Sequence, residues 1–305
     1  MAIIVNTNIS ALKTRTNLNN ATNSLNQALE RMSTGYKINS AKDDAAGLYV
    51  ATGLETQIRG SKVALNNIST GNNVLQTVEG DLDAILDNLN RIRDLATQAA
   101  NSVYDTDAMN AMKQETDARI AEIERISLAS NFNGLQLLAG GNDLETNGMR
   151  LQVGANANAD ANAIVIDGEI FQKTDATELG KGVVAGDLNG GGVITAGMSV
   201  SEAADVAFEK TTTAADFIAV LDDAIDTISS RKSTIGAIMN RLESAETSLT
   251  TTIENATAAK STIMDADIAE ESAEYTKQQI LQQTSSALLV QANNLPSLAL
   301  NLIAG

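Results

Sequence analysis

The 305-residue chain has no His, Cys or Trp, a single Pro (Pro296), and aromatic residues make up only 3% of it. Without imidazole or thiolate it lacks the usual zinc ligands and the near-neutral base that Ser and Cys nucleophiles require, and no disulfide can form. Twenty-one Lys and Arg against 38 Asp and Glu give a net charge of −17, which repels nucleic acid phosphates, while 43% hydrophobic residues argue for a folded chain. The composition therefore points away from an enzyme, and no cofactor is expected.

Met1 to Asn8 holds a three-residue apolar run with no basic segment before it, so no cleavable secretory signal is expected. No apolar run approaches the ~20 residues that a membrane span needs. Residues 1–44 carry five basic and three acidic groups, and residues 260–305 carry two basic and five acidic. Most of the acid thus lies between two nearly neutral ends, which suits the ends for burial against other chains.

In chain order, the first helical stripe is Leu18, Ala21, Leu25, Ala28 and Met32. A long second helix is expected from Ala45 to Asn101, on the stripe Leu65, Ile68, Leu75, Val78, Leu82, Ile85, Leu89 and Ile92. Asn72 fills one seam position, and two successive steps of three at 72, 75 and 78 make a stammer. A shorter helix is expected over Asp107–Ala129, using Met109, Met112, Ile120, Ile123 and Ile126. The period then changes. Met149, Leu151 and Val153 alternate with polar residues, and Ala163 to Ile166 follow an Asn-rich turn, which predicts a hairpin. The Gly-rich residues 180–201 read as a surface loop or a very small extra subdomain. A second long stripe runs from Ile218 through Ile228, Ile238 and Leu249 to Ala256. The last stripe is Leu281, Leu288, Ala292, Leu295, Ala299 and Leu302.

Four features could carry chemistry. Asp187 to Thr195 begins like a calcium loop, but Gly191 and Met198 stand where ligands are needed, so a turn is the better reading. Asp267, Glu270, Glu271 and Glu274 cluster within two turns and read as the solvated start of a helix. The acceptor-like sequences at Asn8, Asn67 and Asn255 are expected by chance in a chain this rich in Asn, Ser and Thr. The terminal stripes are different, because they have no partner within the chain except each other, and two helices alone bury too little to offset chain entropy. They are expected to bury against neighbouring copies. The assembly seam candidates are Leu18, Leu25, Met32, Leu281, Leu288, Leu295 and Leu302.

Several segments resemble bacterial flagellin. They include Ile4 to Leu12 (IVNTNISAL), Leu29 to Gly47 (LERMSTGYKINSAKDDAAG), Leu89 to Leu95 (LNRIRDL), Asn131 to Leu135 (NFNGL) and Leu151 to Asn156 (LQVGAN). The second half adds Asn240 to Glu243, Asp265 to Asp267, and Gln278 through Pro296. The resemblance covers both ends and leaves out the stretch near 176–210. It implies a mainly α fold: a long-helix coiled-coil rod with a small β-hairpin region, and terminal helices pairing into an inner coiled-coil domain. The implied domains are 1–44 with 260–305 (inner), 45–175 with 211–259 (rod), and 176–210 as a short variable surface insertion. Any glycan is expected there, on Thr195, Ser199, Ser201 or Thr211 to Thr213.

The resemblance also implies a subunit that polymerises into the flagellar filament after export, unfolded, through the flagellar type III apparatus. A hook–filament junction protein of the same superfamily is the alternative. The partners implied are other copies of the chain, the flagellar cap, hook-associated proteins and an export chaperone. A further implied partner is the vertebrate flagellin-sensing Toll-like receptor, contacted by Arg91, Leu95 and Glu115; Asp94 and Thr97 depart from the family's usual residues there. No nucleic acid and no membrane are expected as partners. The location implied is extracellular, in the filament. A protease-bearing flagellin is set aside because its zinc chemistry needs His.

Overall fold

The computed structural model describes residues 7–141, 143–158, 162–182, 194, 197–209 and 211–304. It divides into two units, residues 59–252 and residues 1–58 with 253–305. Two long helices, α2 (Ala45–Ala99) and α6 (Thr211–Met264), supply residues to both.

The unit 59–252 is organised around the apolar stripe of α2. Ile68, Leu75, Val78, Leu82, Ile85 and Leu89 are wholly or almost wholly buried, as steps of three and four on one helix face require. They share one core with Leu221, Ile228, Ile235 and Leu242 of α6 and with Met109, Met112 and Ile123 of α3 (Thr106–Ala129). Arg93 pairs with Asp222 at 2.5 Å and Lys232 pairs with Asp83, so ion pairs edge the same α2–α6 contact. Asp105 starts α3 by accepting the Ala108 amide at 2.9 Å.

Two small antiparallel ribbons follow. Strands β1 (Asn131–Phe132) and β2 (Leu135–Gln136) turn at Asn133 and Gly134, both at positive φ, the geometry that an Asn-Gly pair accepts most readily. A short helix α4 (Asp143–Asn147) leads into β3 (Met149–Gln152), which pairs with β4 (Ala163–Ile166) in the register Met149 to Ile166. This is the hairpin expected from the alternation. A Cβ on Gly71 would lie 2.2 Å from a Leu151 methyl carbon, so α2 has glycine where the hairpin presses closest.

The expectation of a surface insertion at 176–210 is corrected. Ala176, Leu179, Ile194 and Phe208 are buried in the main core, together with Val200, Ala203, Ala204 and Ala207 of helix α5 (Val200–Ala207). A capping box starts α5. The Ser199 hydroxyl accepts from the Glu202 amide, and the Glu202 carboxylate accepts from the Ser199 backbone N–H at 2.9 Å. The apolar face of α5 is mostly alanine and only two turns long, too short to show a period beside a Gly-rich stretch. Ser199 and Thr213 are buried at 0% and 1% exposure and are removed as glycan acceptors, whereas Ser201 is half-buried. Thr195, the side chains of Thr211 and Thr212, and most of the calcium-like loop 187–195 lie outside the described residues.

The other unit contains α1 (Ile9–Thr34), the first turns of α2, the last turns of α6, and α7 (Ile268–Ala304). Its described buried apolar side chains are Ala21, Ala28, Ile38, Ala51, Ile58, Ala256 and Ala292. Gly35 closes α1 in the left-handed conformation at φ 75°. The connection after α1 then pairs with the one before α7: the Lys37 amide donates to Met264 O at 2.7 Å, and the Ala266 amide donates to Gly35 O at 2.9 Å.

Candidate functional site

Among the described residues, no group of three or more Asp or Glu is placed to hold a metal ion, and no helix is long and apolar enough to cross a membrane. The feature with unspent chemistry is the pair formed by α1 and α7.

The two helices run antiparallel, and three hydrogen bonds fix their register. Asn8 Nδ2 donates to Ala292 O at 2.7 Å, Gln282 Nε2 to Thr22 Oγ1 at 3.1 Å, and Arg31 Nη1 to Glu271 Oε1 at 3.0 Å. On α1 the stripe offered as an assembly seam lies on the side turned to α7 of the same chain. Leu18, Leu25 and Met32 are half-buried and alternate with buried Ala21 and Ala28, all at heptad spacing.

On α7 the expected stripe splits. From Tyr275 to Asn294 the half-buried or buried positions are Tyr275, Gln278, Gln282, Ser285, Leu289 and Ala292, whose steps of three and four make a heptad seam of mostly polar or small residues. Leu281 and Leu288 lie off that seam, 43% and 51% exposed. Ala292, expected beside them, turns inward. The side chains of Leu295 and Leu302 lie outside those described. Leu281 and Leu288 thus share one face of α7, and it is not the face that meets α1.

At the other end of the pair, the motif Ser40-Ala-Lys-Asp43-Asp44-Ala-Ala-Gly47 builds a tight corner. The Asp43 carboxylate accepts from the Ser40 hydroxyl at 3.0 Å, the Ser40 amide at 2.9 Å and the Asn39 amide at 3.1 Å, and these bonds, led by the one from the Ser40 hydroxyl, hold its pKa below the usual carboxylate value. Asp44 caps α2 by accepting from the Ala46 and Gly47 amides at 3.0 and 2.9 Å. A Cβ at Gly47 would stand 2.5 Å from Asp44 Oδ2 and 2.8 Å from Ile38 Cδ1, so a larger residue there would have to displace the capping carboxylate or the Ile38 methyl.

The acidic cluster 267–274 has local partners. Asp267 accepts from the Ala269 amide at 2.8 Å, Glu271 pairs with Arg31, and Glu274 pairs with Lys277 at 3.0 Å. Asn8 and Asn67 also use their amides internally: Asn8 Oδ1 accepts from the Ala11 amide at 3.0 Å, and Asn67 Nδ2 donates to Gln152 O at 3.1 Å.

Arg91 and Glu115 come together as a bidentate pair at 2.8 and 3.3 Å, both partly exposed. The hydrogen bond from Arg91 holds Glu115 below the usual carboxylate range. Leu95 is 3% exposed and belongs to the core, so its expected role as a receptor contact is corrected. Spacing of four from Arg91 suggested a shared face. The competing signal was spacing of three from buried Ile92, which continues the core stripe.

Long helices packed on one apolar core, with two small antiparallel ribbons, define a mainly α protein. The comparisons make the class specific. Residues 5–143 match the bacterial flagellin N-terminal helical region, and residues 218–303 match the bacterial flagellin C-terminal helical region. The chain is similar to the flagellin of Bacillus subtilis (34% identity, 98% of this chain and 99% of the relative). It is also similar to polar flagellin F of Vibrio parahaemolyticus (32%, 99% and 100%) and to a flagellin of Treponema pallidum (35%, 95% and 96%). Among solved structures, it shares its fold with a Vibrio parahaemolyticus chain assigned to the flagellar hook-associated proteins (19% identity, TM-score 0.52, 72% of this chain and 99% of that one). The chain belongs to the bacterial flagellin family, a family of structural proteins and not of enzymes.

Proposed function

We propose that the chain is a flagellar filament subunit that polymerises with itself, a reading supported by its family membership. We propose that polymerisation runs through the terminal helix pair, with the α7 leucines as the seam between copies. The single observation that carries this reading is the exposure of Leu281 and Leu288 beside an inward seam of mostly polar or small residues. A solvated helix normally points its polar face outward. Here α7 keeps glutamine and serine against its partner and leaves leucine free.

The same proposal includes export of the unfolded chain through the flagellar type III apparatus, aided by a chaperone, with the cap and hook-associated proteins as partners and an extracellular filament as the product. A chain without Cys, and with only two short antiparallel ribbons among its described residues, refolds after passage without redox steps or extensive strand pairing. Within this reading the inner domain is 1–44 with 260–305, and the rod is 45–175 with 211–259, joined by the buried residues of 176–210. A hook–filament junction role is the alternative, and it predicts cells with a few copies at the filament base. Receptor recognition on this face rests on Arg91 of α2 and Glu115 of α3, with Leu95 packed in the core beneath α2.

The test is deletion of the chain from its own cells, with electron microscopy of sheared appendages. Loss of filament mass supports the filament subunit. Filaments that assemble but detach from the hook would favour the junction role.

A further inference from the structure

The α1–α7 pair is asymmetric. Taking about 100° per residue, Leu281 and Leu288 stand about 70–90° to one side of the seam that α7 turns toward α1. On the other side, by about the same angle, stands Ser286. There the two helices border an open groove of about 700 Å³, lined by Leu18 and Thr22 of α1 and by Gln282, Ser286, Ala287 and Val290 of α7. One flank of the pair is therefore a leucine ridge and the opposite flank is a groove with small side chains in its wall.

We propose that the Leu281–Leu288 ridge of one copy seats in the Ser286–Ala287 groove of the next. This rests on the polymerisation reading above and names what its seam docks against. The occupant is a second copy for three reasons. Ridge and groove lie on opposite flanks of one helix pair, so no chain can fill its own groove. They lie at the same level, 281–288 against 282–290, so copies meet side by side. And no Asp, Glu, Lys or Arg occurs from Gln278 to the last residue, so α7 brings no charge to the contact for burial to strand. The Leu281–Leu288 spacing is one heptad, about 10.5 Å along the helix. In the groove their methyl groups meet the Ala287 methyl, the Thr22 methyl and Val290. Such a contact is heterologous, leaving a free ridge at one side and a free groove at the other, so it repeats into a closed ring or a helical array.

The test uses the absence of cysteine from the chain. Full-length Leu288→Cys and Ser286→Cys variants, each checked for helicity by circular dichroism, are mixed in equal amounts, polymerised and oxidised. The proposal expects mixed disulfide dimers to dominate, with little dimer in filaments of either variant alone. Like-with-like dimers of Leu288→Cys, or filaments with no cross-link, overturn it while leaving polymerisation intact. If either cysteine variant fails to polymerise, filament yields of Leu288→Ala and Ser286→Phe take its place: both must fall, and a normal yield for Ser286→Phe overturns the proposal. If the unsubstituted chain forms no filament, the parent reading falls and this one with it.

Discussion

The two units differ in what holds them. Residues 59–252 bury isoleucine, leucine, valine and phenylalanine in one continuous core, with 14 basic and 28 acidic residues in the segment. Residues 1–58 with 253–305 carry a net charge of only −3, yet five of their seven described buried apolar side chains are alanine. Burial contributes about 25 cal/mol per Å² of apolar surface, so alanine seams return little against the ~1–2 kcal/mol of backbone entropy lost per ordered residue. The first unit is stabilised by its own interior. The second has large apolar side chains, but Ile9, Leu12, Ile280, Leu281, Leu288 and Val290 point outward. On the polymerisation reading proposed above, contacts between copies supply the stability that this unit lacks by itself.

The largest effect that separates the units is a large-to-small change in each. Leu89→Ala, at a fully buried position, is expected to destabilise the monomer by about 2–5 kcal/mol in chemical denaturation. Leu288→Ala should leave the same transition within about 0.5 kcal/mol and show its loss only in filament yield. Equal monomer destabilisation by both would erase the distinction.

Next comes Gly148, at φ 67°, where an added Cβ would lie 2.2 Å from Ile166 O. Gly148→Ala is expected to cost about 1–3 kcal/mol, all of it in the 59–252 unit, read as a lowered denaturation midpoint.

A smaller effect concerns Asp175, a buried carboxylate with Lys173 at 2.5 Å. Burial pushes its pKa up, but Lys173 and the Thr177 hydroxyl and amide outweigh that and hold it below the ordinary value. Its folded pKa being depressed, its stabilisation is fully present above the unfolded carboxylate pKa of ~3.9 and is lost as pH falls through the lower folded value. Asp175→Asn should cost about 0.5–2 kcal/mol near neutrality, since Asp175 also accepts from the Thr177 and Glu178 amides, and should flatten the acid limb of the stability curve. An unchanged acid limb would contradict the assignment. The smallest effect is Arg91→Ala, which breaks an exposed pair and should leave the melting temperature unresolved from the parent.

The long helices and the β3–β4 hairpin were legible because their apolar residues keep one period over many turns. Three things were not. The buried helix α5 is too short and too alanine-rich to announce itself. Leu95 satisfied two spacings at once, and the core claimed it. The leucines of α7 showed that a face exists but not where it points, since the seam against α1 holds Tyr275, Gln278, Gln282 and Ser285 and only Leu289 and Ala292 as aliphatic members, too few for a hydrophobic period to detect.

Amide hydrogen exchange of the monomer and of its polymer, compared residue by residue, tests the central claim most directly. Amides of α2 from Leu75 to Ile92 should be strongly protected in both states. Those of α1 and α7 should exchange with little protection in the monomer and become protected only in the polymer. Strong protection of Leu18 to Met32 and Leu281 to Leu289 in the monomer, comparable to that of α2, would contradict the account.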